Sequence, residues 1–195
     1  MRTLYHLTLS PYARKARIAL KEKGLEFELT MERVWERRPA FLAMNPAGQV
    51  PVARFADRGA LAQSNAIMLH LADGSDLVPV DAWEKAQMFQ WLFWEQYSHE
   101  PALAVLRFQR LYLKKPESEI DPALVKKSER ALRLMDRHLD GRDYLVGNRL
   151  SLADIALVAY TRFAHDAGLN LGRWPHVRAW VRRIEDELKI EHAGE

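Results

Sequence analysis

Two serines stand at places in the sequence where a hydroxyl could bind an anion. Ser10 is followed by Pro11, and Ser64 precedes an apolar stretch, so both residues mark the start of a predicted helix. A hydroxyl at a helix start satisfies free backbone N–H groups, and the helix dipole there favours negative charge. Taken alone, each serine is well explained by a capping role, so capping and anion binding both stay open.

Composition and motifs exclude several kinds of catalytic chemistry. The chain has no cysteine, which rules out disulfides, thiolate metal sites and cysteine nucleophiles. It has no glycine-rich phosphate loop, no dinucleotide-binding fingerprint and no serine-hydrolase elbow. The seven histidines are scattered, and His99, next to Glu100, is better explained as a structural histidine than as a metal ligand. We therefore expect no metal.

The charge balance gives no reason to expect a nucleic-acid partner. The 29 Lys and Arg residues exceed the 26 Asp and Glu residues by only three, and the densest basic run is predicted to be a solvated helix face. That run consists of Arg14, Lys15, Arg17 and Lys21. No apolar run reaches the roughly 20 residues of a membrane helix, and the first ten residues lack the apolar segment of a secretory signal. We expect a cytoplasmic protein with no membrane partner.

The first 74 residues predict an α/β domain. Alternating apolar residues indicate strands, and Ser-Pro and Gly mark helix boundaries. The predicted elements are a strand at residues 4–7, a helix at 12–23, a strand at 25–31, a short helix at 39–44, strands at 50–55 and 60–62, and a helix capped by Ser64. The first strand, helix and second strand form a βαβ unit, so those two strands should be parallel.

The rest of the chain predicts an all-helical domain. A linker at residues 75–81, with a serine, two aspartates and a proline, separates it from the first domain. Helices are expected at residues 83–113 with a bend at Pro101, at 121–139, after 151 and at 174–188. Ser151 and Asp154 have the spacing of a capping box, so we expect a structural role for Asp154.

Three motifs, in this order, resemble the N-terminal domain of the cytosolic glutathione transferases. They are SPYARKARIAL at residues 10–20, NPAGQVP at residues 45–51 and QSNAI at residues 63–67. The capping motif at residues 151–154 is similar to one in the sixth helix of that family. The resemblance covers nearly the whole chain. It implies a thioredoxin-like, glutathione-binding α/β domain at residues 1–74 and an all-α domain at residues 82–195 that lines the second-substrate pocket.

The resemblance implies a catalytic role for Ser10. It matches the serine that hydrogen-bonds the glutathione sulfur in serine-type, bacterial-like members, where other classes have cysteine. Ser10 would donate to the thiolate rather than act as a nucleophile, and glutathione would be a co-substrate. The other substrate would be a small hydrophobic electrophile, held in a pocket between the domains. Candidates for lining that pocket are Tyr12, Tyr97, His99 and Glu100.

The same resemblance implies which residues hold glutathione. Val50 matches the residue whose backbone pairs with the tripeptide, and Pro51 matches the family's cis-proline. Gln63 and Ser64 match the pair that binds the γ-glutamyl end. Gln49 matches a position that often contacts the ligand. A homodimer is also implied.

Two other functions stay open. A glutathione-dependent isomerase or dehalogenase would share the first domain and act on a different substrate. A non-catalytic binding module would keep the fold without the chemistry. The presence of Ser10, Gln63 and Ser64 favours an enzyme over such a module.

Overall fold

The computed structural model describes residues 2–7 and 10–193. Within them the chain forms two compact units, the first ending at Val78 and the second beginning at Pro79. Each unit has its own set of secondary-structure elements and is described separately.

The first unit alternates strands and helices. Its elements are β1 (Arg2–His6), α1 (Pro11–Glu22), β2 (Glu28–Met31), α2 (Pro39–Met44), β3 (Val52–Phe55), β4 (Gly59–Ala62) and α3 (Ser64–Ala72). The sheet has the order β2-β1-β3-β4. The pair β1 and β2 is parallel, as the βαβ pattern predicts, while β3 runs antiparallel to both β1 and β4. The predicted thioredoxin-like α/β fold is confirmed.

The core of this unit lies between one face of the sheet and the helices α1 and α3. Its buried members are Leu4, Ala16, Leu20, Ala53, Phe55, Ile67 and Leu71. Because successive side chains of a strand point to opposite faces, Tyr5 faces away from this core. Its ring lies 5.8 Å from that of Phe41 in α2, which is buried.

The first strand and the first helix begin and end one or two residues earlier than predicted, and the second strand begins at Glu28 instead of Leu25. Two further differences bear on the candidate site. The third strand begins at Val52 and not at Val50, because Pro51 has no N–H to donate to a strand ladder. The residue at the cap position of α3 is Gln63, and Ser64 is the first helical residue, so the prediction that Ser64 caps this helix was wrong. The chain enters α3 through a positive-φ conformation at Gln63, which places the helix start one residue after it.

The second unit is helical throughout its regular structure, as predicted. Its α-helices are α4 (Ala82–Trp94), α5 (Glu100–Arg107), α6 (Pro122–His138), α7 (Leu152–Thr161) and α8 (Pro175–Glu187). Every residue of α7 is buried, and this helix contacts α4, α5 and α8. A helix that is enclosed on all sides fits its almost entirely apolar sequence.

The single helix predicted at residues 83–113 is interrupted. Wider π-helical turns at Glu95–His99 and Phe108–Tyr112 follow α4 and α5. Pro101 lacks an N–H, and its ring crowds the carbonyl group four residues earlier, at Tyr97. The irregular turn therefore lies just before the proline, where the extra residue of a π turn gives the carbonyl room.

The predicted capping box at the start of α7 is confirmed. One carboxylate oxygen of Asp154 accepts the backbone N–H of Ser151 at 3.0 Å and the Ser151 hydroxyl at 2.8 Å. The other oxygen accepts the N–H of Leu145 at 3.0 Å and the indole N–H of Trp180 at 2.9 Å. Asp154 thus joins the start of α7 to the preceding loop and to α8. Burial raises the pKa of its carboxyl group, and the four donors oppose that rise.

Candidate functional site

Ser10 caps α1 and still has a proton to donate. Its Oγ accepts the backbone N–H of Ala13 at 3.3 Å, and its own extended backbone (φ −70°, ψ 118°) is typical of an N-cap residue. A serine hydroxyl has two lone pairs and one proton, and the cap uses one lone pair. Capping therefore does not compete with donation to an anion. The side chain is partly exposed, so an anion could reach it.

The start of α3 has an unusual backbone conformation. Gln63 has φ +73° and ψ 117°, a region that residues with a Cβ rarely adopt. Its side chain is exposed, whereas the adjacent Ser64 is buried. Backbone conformations of this kind cost about 1–3 kcal/mol and cluster at ligand-binding positions. The first N–H groups of α3 are also suited to an anion.

Replacing Gln63 with glycine is expected to stabilise the protein by about 1 kcal/mol. Glycine adopts a positive φ without strain, and this gain exceeds the conformational entropy that it adds to the unfolded chain. The free energy of unfolding would be measured by urea denaturation followed by circular dichroism. The matched control is Gln49→Gly at an exposed glutamine without a positive φ, where glycine should lower stability. Equal changes in both variants would contradict the strain at Gln63.

A buried lysine connects α1 to the start of α3. Lys15 is fully buried, and its Nζ lies 3.3 Å from Oδ1 of Asn65, the residue after Ser64. Its Nζ also lies 5.6 Å from the centre of the Tyr12 ring. The prediction of a solvated basic face was therefore wrong for Lys15, because that side of α1 packs on α3. Nothing in the sequence of α1 distinguishes Lys15 from the neighbouring basic residues, so this contact could not be predicted.

The second motif forms a tight loop before β3. The Asn45 side-chain amide donates to the Gln49 carbonyl at 2.7 Å, and the Gly48 N–H donates to the Asn45 carbonyl at 2.9 Å. Gly48 has φ +65°, and a Cβ there would lie only 3.2 Å from the Leu42 side chain, so glycine is strongly favoured at this position. The Val50–Pro51 peptide bond is cis, as the resemblance implied. The side chain of Gln49 is exposed.

The strand register brings all three motifs to one edge of the sheet. Val52 lies opposite Tyr5 in β1 and opposite Ala62 in β4. Ser10 comes shortly after Tyr5, the second motif ends directly before Val52, and Gln63 directly follows Ala62. Segments 50 residues apart in sequence are thus placed side by side. This edge presents a hydroxyl donor, a helix N-terminus with a nearby lysine, and the backbone of a loop.

Comparison with known protein families shows to which family the chain belongs. The description "Glutathione S-transferase, N-terminal domain" matches residues 9–73, and "Glutathione S-transferase, C-terminal domain" matches residues 89–187. The chain belongs to the glutathione S-transferase family. The resemblance seen in the three sequence motifs is confirmed by matches in both units.

Individual proteins align with most of the chain. Glutathione S-transferase 3 of Zea mays is 33% identical over 196 residues, which cover 93% of this chain and 87% of that protein. The crystal structure of a glutathione S-transferase from Pseudomonas fluorescens is 39% identical with a TM-score of 0.90, and 94% of each chain is covered. The FtsZ-localized protein A of Caulobacter vibrioides is 30% identical over 176 residues, 82% of this chain and 75% of that protein.

The residues proposed for a second-substrate pocket of this glutathione S-transferase family member differ in accessibility. Tyr97 is 87% exposed, and Tyr12 and Glu100 are partly buried. His99 is fully buried, and its Nε2 lies 2.9 Å from Oγ1 of Thr161. Burial and this hydrogen bond fit the structural role that the sequence favoured for His99. A pocket role for any of the four candidates stays a prediction.

The described part of the chain has neither a cluster of metal-binding side chains nor a helix that could span a membrane. Within residues 2–7 and 10–193, no group of three or more histidine, aspartate or glutamate side chains is placed to hold a metal ion. None of the helices in those residues combines the length and the apolar character that crossing a membrane requires.

Proposed function

We propose that this member of the glutathione S-transferase family is a catalytically active transferase. It would activate the thiol of glutathione for attack on small hydrophobic electrophiles. The observation that carries the proposal is the meeting of three motifs at one sheet edge, with the Ser10 hydroxyl at the start of α1. In the reaction, the thiolate sulfur forms a bond to an electrophilic carbon, and a leaving group departs with the electron pair of the bond that breaks.

The energetics of thiolate formation support a role for Ser10. A free thiol with a pKa of about 8.5 is only a few per cent ionised at neutral pH. Lowering that pKa by about two units requires roughly 2.7 kcal/mol of preferential thiolate stabilisation. A hydrogen bond to a charged group contributes about 1.5–3 kcal/mol, and a helix N-terminus adds about 0.3–1 kcal/mol. A hydrogen-bond donor at the first turn of α1 is therefore sufficient to lower the thiol pKa by this amount.

The other end of glutathione is proposed to bind at the start of α3. Its γ-glutamyl carboxylate would accept hydrogen bonds from the first turn of α3 and from the side chains of Gln63 and Ser64. The positive charge of Lys15, beside Asn65, favours an anion at this place. The backbone of Val50 would pair with the tripeptide as a strand edge does, with Gln49 and Pro51 beside it. The strained backbone of Gln63 supports a binding role for that residue.

A homodimer and a cytoplasmic location belong to the same proposal. The first helix of the second unit and the turn after it carry large apolar side chains that are mostly exposed in a single chain, namely Trp83, Phe93 and Tyr97. Such side chains are typical of surfaces that associate with another protein. Tyr12, Tyr97 and Glu100 are proposed to contact the electrophile, and His99, which is fully buried, is proposed to have a structural role.

Two alternatives fit the same family. A glutathione-dependent isomerase or dehalogenase would use the same thiolate on a different substrate. A non-catalytic binding module has one observation in its favour, since a relative at 30% identity is named for its localization with FtsZ and not for an activity. Activity against a panel of substrates would distinguish a transferase from an isomerase or dehalogenase. Measuring whether the protein binds glutathione and activates its thiol would distinguish an enzyme from a non-catalytic module.

A titration of bound glutathione tests the proposal. The ultraviolet absorbance of the thiolate would be followed with pH for glutathione in complex with the protein, after calorimetry has established binding. We expect the thiol pKa to fall by about two units on binding. Absence of binding would support the non-catalytic module. Binding with an unchanged thiol pKa would remove the proposed mechanism.

A further inference from the structure

A row of cations runs along the exposed side of α6. Four of its basic residues follow one another at steps of four, three and four positions, which places them on one narrow face of the helix. These four residues are called the basic stripe, and they are Lys126, Arg130, Arg133 and Arg137, all of them exposed. At a rise of 1.5 Å per residue, the stripe is about 16 Å long. Lys127, which is also exposed, lies beside its first residue.

These five cations have no partner within the described part of the chain. None of their side chains forms an ion pair or a hydrogen bond with another described residue. The acidic side chains inside α6 are used by neighbouring elements instead. Glu129 pairs with Arg173, and Asp136 accepts two backbone N–H groups at the start of α8, at 2.9 and 3.1 Å. The positive charge of the stripe is therefore left for a partner outside the chain.

Helix stability does not explain this arrangement. Lys126 and Arg130 are four residues apart, as are Arg133 and Arg137, and like charges at that spacing destabilise a helix. The first turn of α6 contains no acidic residue that would offset this repulsion. A bound partner of opposite charge would remove the repulsion and gain the attraction.

The charge of the remaining residues favours a short partner over a long one. The whole chain has a net charge of +3, so without the five exposed cations of α6 the other residues have a net charge of −2, with histidines neutral. A nucleic-acid duplex or an anionic membrane would extend beyond α6 and meet that net negative remainder. A short acidic segment of a protein would meet the stripe alone, because charges further away than about 10 Å are screened by salt.

An apolar side chain beside the stripe also favours a protein. Leu134 lies next to Arg133 and is 43% exposed, and a phosphate backbone offers nothing apolar to cover it. The sequence of α6 has no Phe, Tyr or Trp on which the bases of a single strand could stack. We propose that the basic stripe binds an acidic helix of another protein. Its carboxylates would repeat at the same steps of four, three and four residues, with an apolar side chain against Leu134.

Fluorescence anisotropy with a labelled peptide tests the stripe on the full chain. The probe is a synthetic alanine-based helix with glutamates at positions i, i+4, i+7 and i+11 and one leucine beside that row. The control peptide has the same composition, but its glutamates are distributed around the helix. We expect one probe peptide per chain, bound about fivefold or more tightly than the control peptide and more weakly as salt is added.

Substitutions on α6 identify the surface that the peptide occupies. Arg130→Gln and Arg133→Gln should each weaken the probe by about 2–5-fold, and the double variant should weaken it by roughly tenfold. Leu134→Ala should weaken the probe but leave unchanged the binding of a peptide whose leucine is replaced by alanine. The matched control is Arg178→Gln, which changes an exposed arginine on α8 and should not affect binding.

Several results would overturn the proposal. One is equal affinity for the two peptides, and another is unchanged affinity in the double variant, with circular dichroism showing that it is folded. Tighter binding of a short DNA duplex or of phosphatidylserine vesicles than of the probe would assign the stripe to a different partner. A changed oligomeric state of the double variant in sedimentation would assign it to contacts between copies of this chain. Glutathione takes no part in these measurements, so this proposal and the transferase proposal fail independently.

Discussion

Replacing Asp154 with alanine is expected to destabilise the protein by about 3–5 kcal/mol. Its carboxylate is fully buried and accepts four hydrogen bonds, from the Leu145 N–H, the Ser151 N–H and hydroxyl, and the Trp180 indole. A buried donor left without an acceptor costs about 1–3 kcal/mol, and neighbouring losses are less than additive. Since domains have about 5–15 kcal/mol of total stability, this loss is a large share of it.

Urea denaturation followed by circular dichroism measures this effect. The matched control is Asp143→Ala, which removes an exposed carboxylate paired with Arg183 at 2.6 Å. An exposed pair contributes less than about 1 kcal/mol, so the control should remain close to the wild type. Asp154→Asn keeps the shape and turns an amide N–H toward two of the four donors, so its stability should lie between those of Asp154→Ala and the wild type. A loss in Asp154→Ala no larger than in Asp143→Ala would contradict the network.

Local signals in the sequence were sufficient for most of the fold. Ser10 before Pro11 predicted the start of α1, and the spacing of Ser151 and Asp154 predicted the cap of α7, because capping depends on neighbours within one turn. Period-two alternation and a helix between strands predicted the parallel pair β1 and β2. These features involve residues close in sequence, which is where patterns carry information.

Features that depend on tertiary contacts could not be predicted in the same way. Lys15 is one of several basic residues in α1, and its burial follows from the packing of α1 on α3. The positive φ of Gln63 has no sequence marker, because glutamine rarely adopts it and only the surrounding structure imposes it. Pro101 predicted a bend in the helix at residues 83–113, but it did not predict that the bend would take the form of a π turn after α4.

For the candidate site, the sequence indicated which residue types could bind a ligand. The strand register of the sheet shows that the segments carrying them lie close together. In the sequence, 24 residues lie between the first and second motifs and 11 between the second and third. The pairing of Val52 with Tyr5 and Ala62 and the packing of α1 on α3 bring them together. The resemblance to the glutathione transferases had implied this convergence. The contact of Lys15 with Asn65 was not implied by any motif, and it adds a positive charge where the proposed γ-glutamyl carboxylate would bind.

Changes at Ser10 should separate its two roles, capping of α1 and donation to the thiolate. In Ser10→Ala both are lost, so we expect stability to fall by about 1 kcal/mol and kcat/KM to fall by about 10–100-fold. Ser10→Asp keeps a good cap, because aspartate accepts the Ala13 N–H as serine does. Its carboxylate cannot donate at neutral pH and repels a thiolate, so activity should fall at least as far as in Ser10→Ala while stability is kept. Ser10→Thr keeps both the acceptor and the donor.

The decisive measurement is the thiol pKa of bound glutathione in these three variants, taken beside their unfolding free energies. If the hydroxyl proton stabilises the thiolate, the pKa rises toward about 8.5 in Ser10→Ala and further in Ser10→Asp, and it remains low in Ser10→Thr. Stability follows a different order, with Ser10→Asp close to the wild type and Ser10→Ala below it. Activity that follows stability across the series would mean that Ser10 acts only through the cap of α1. A thiol pKa in Ser10→Asp as low as that in the wild type would exclude donation by this hydroxyl.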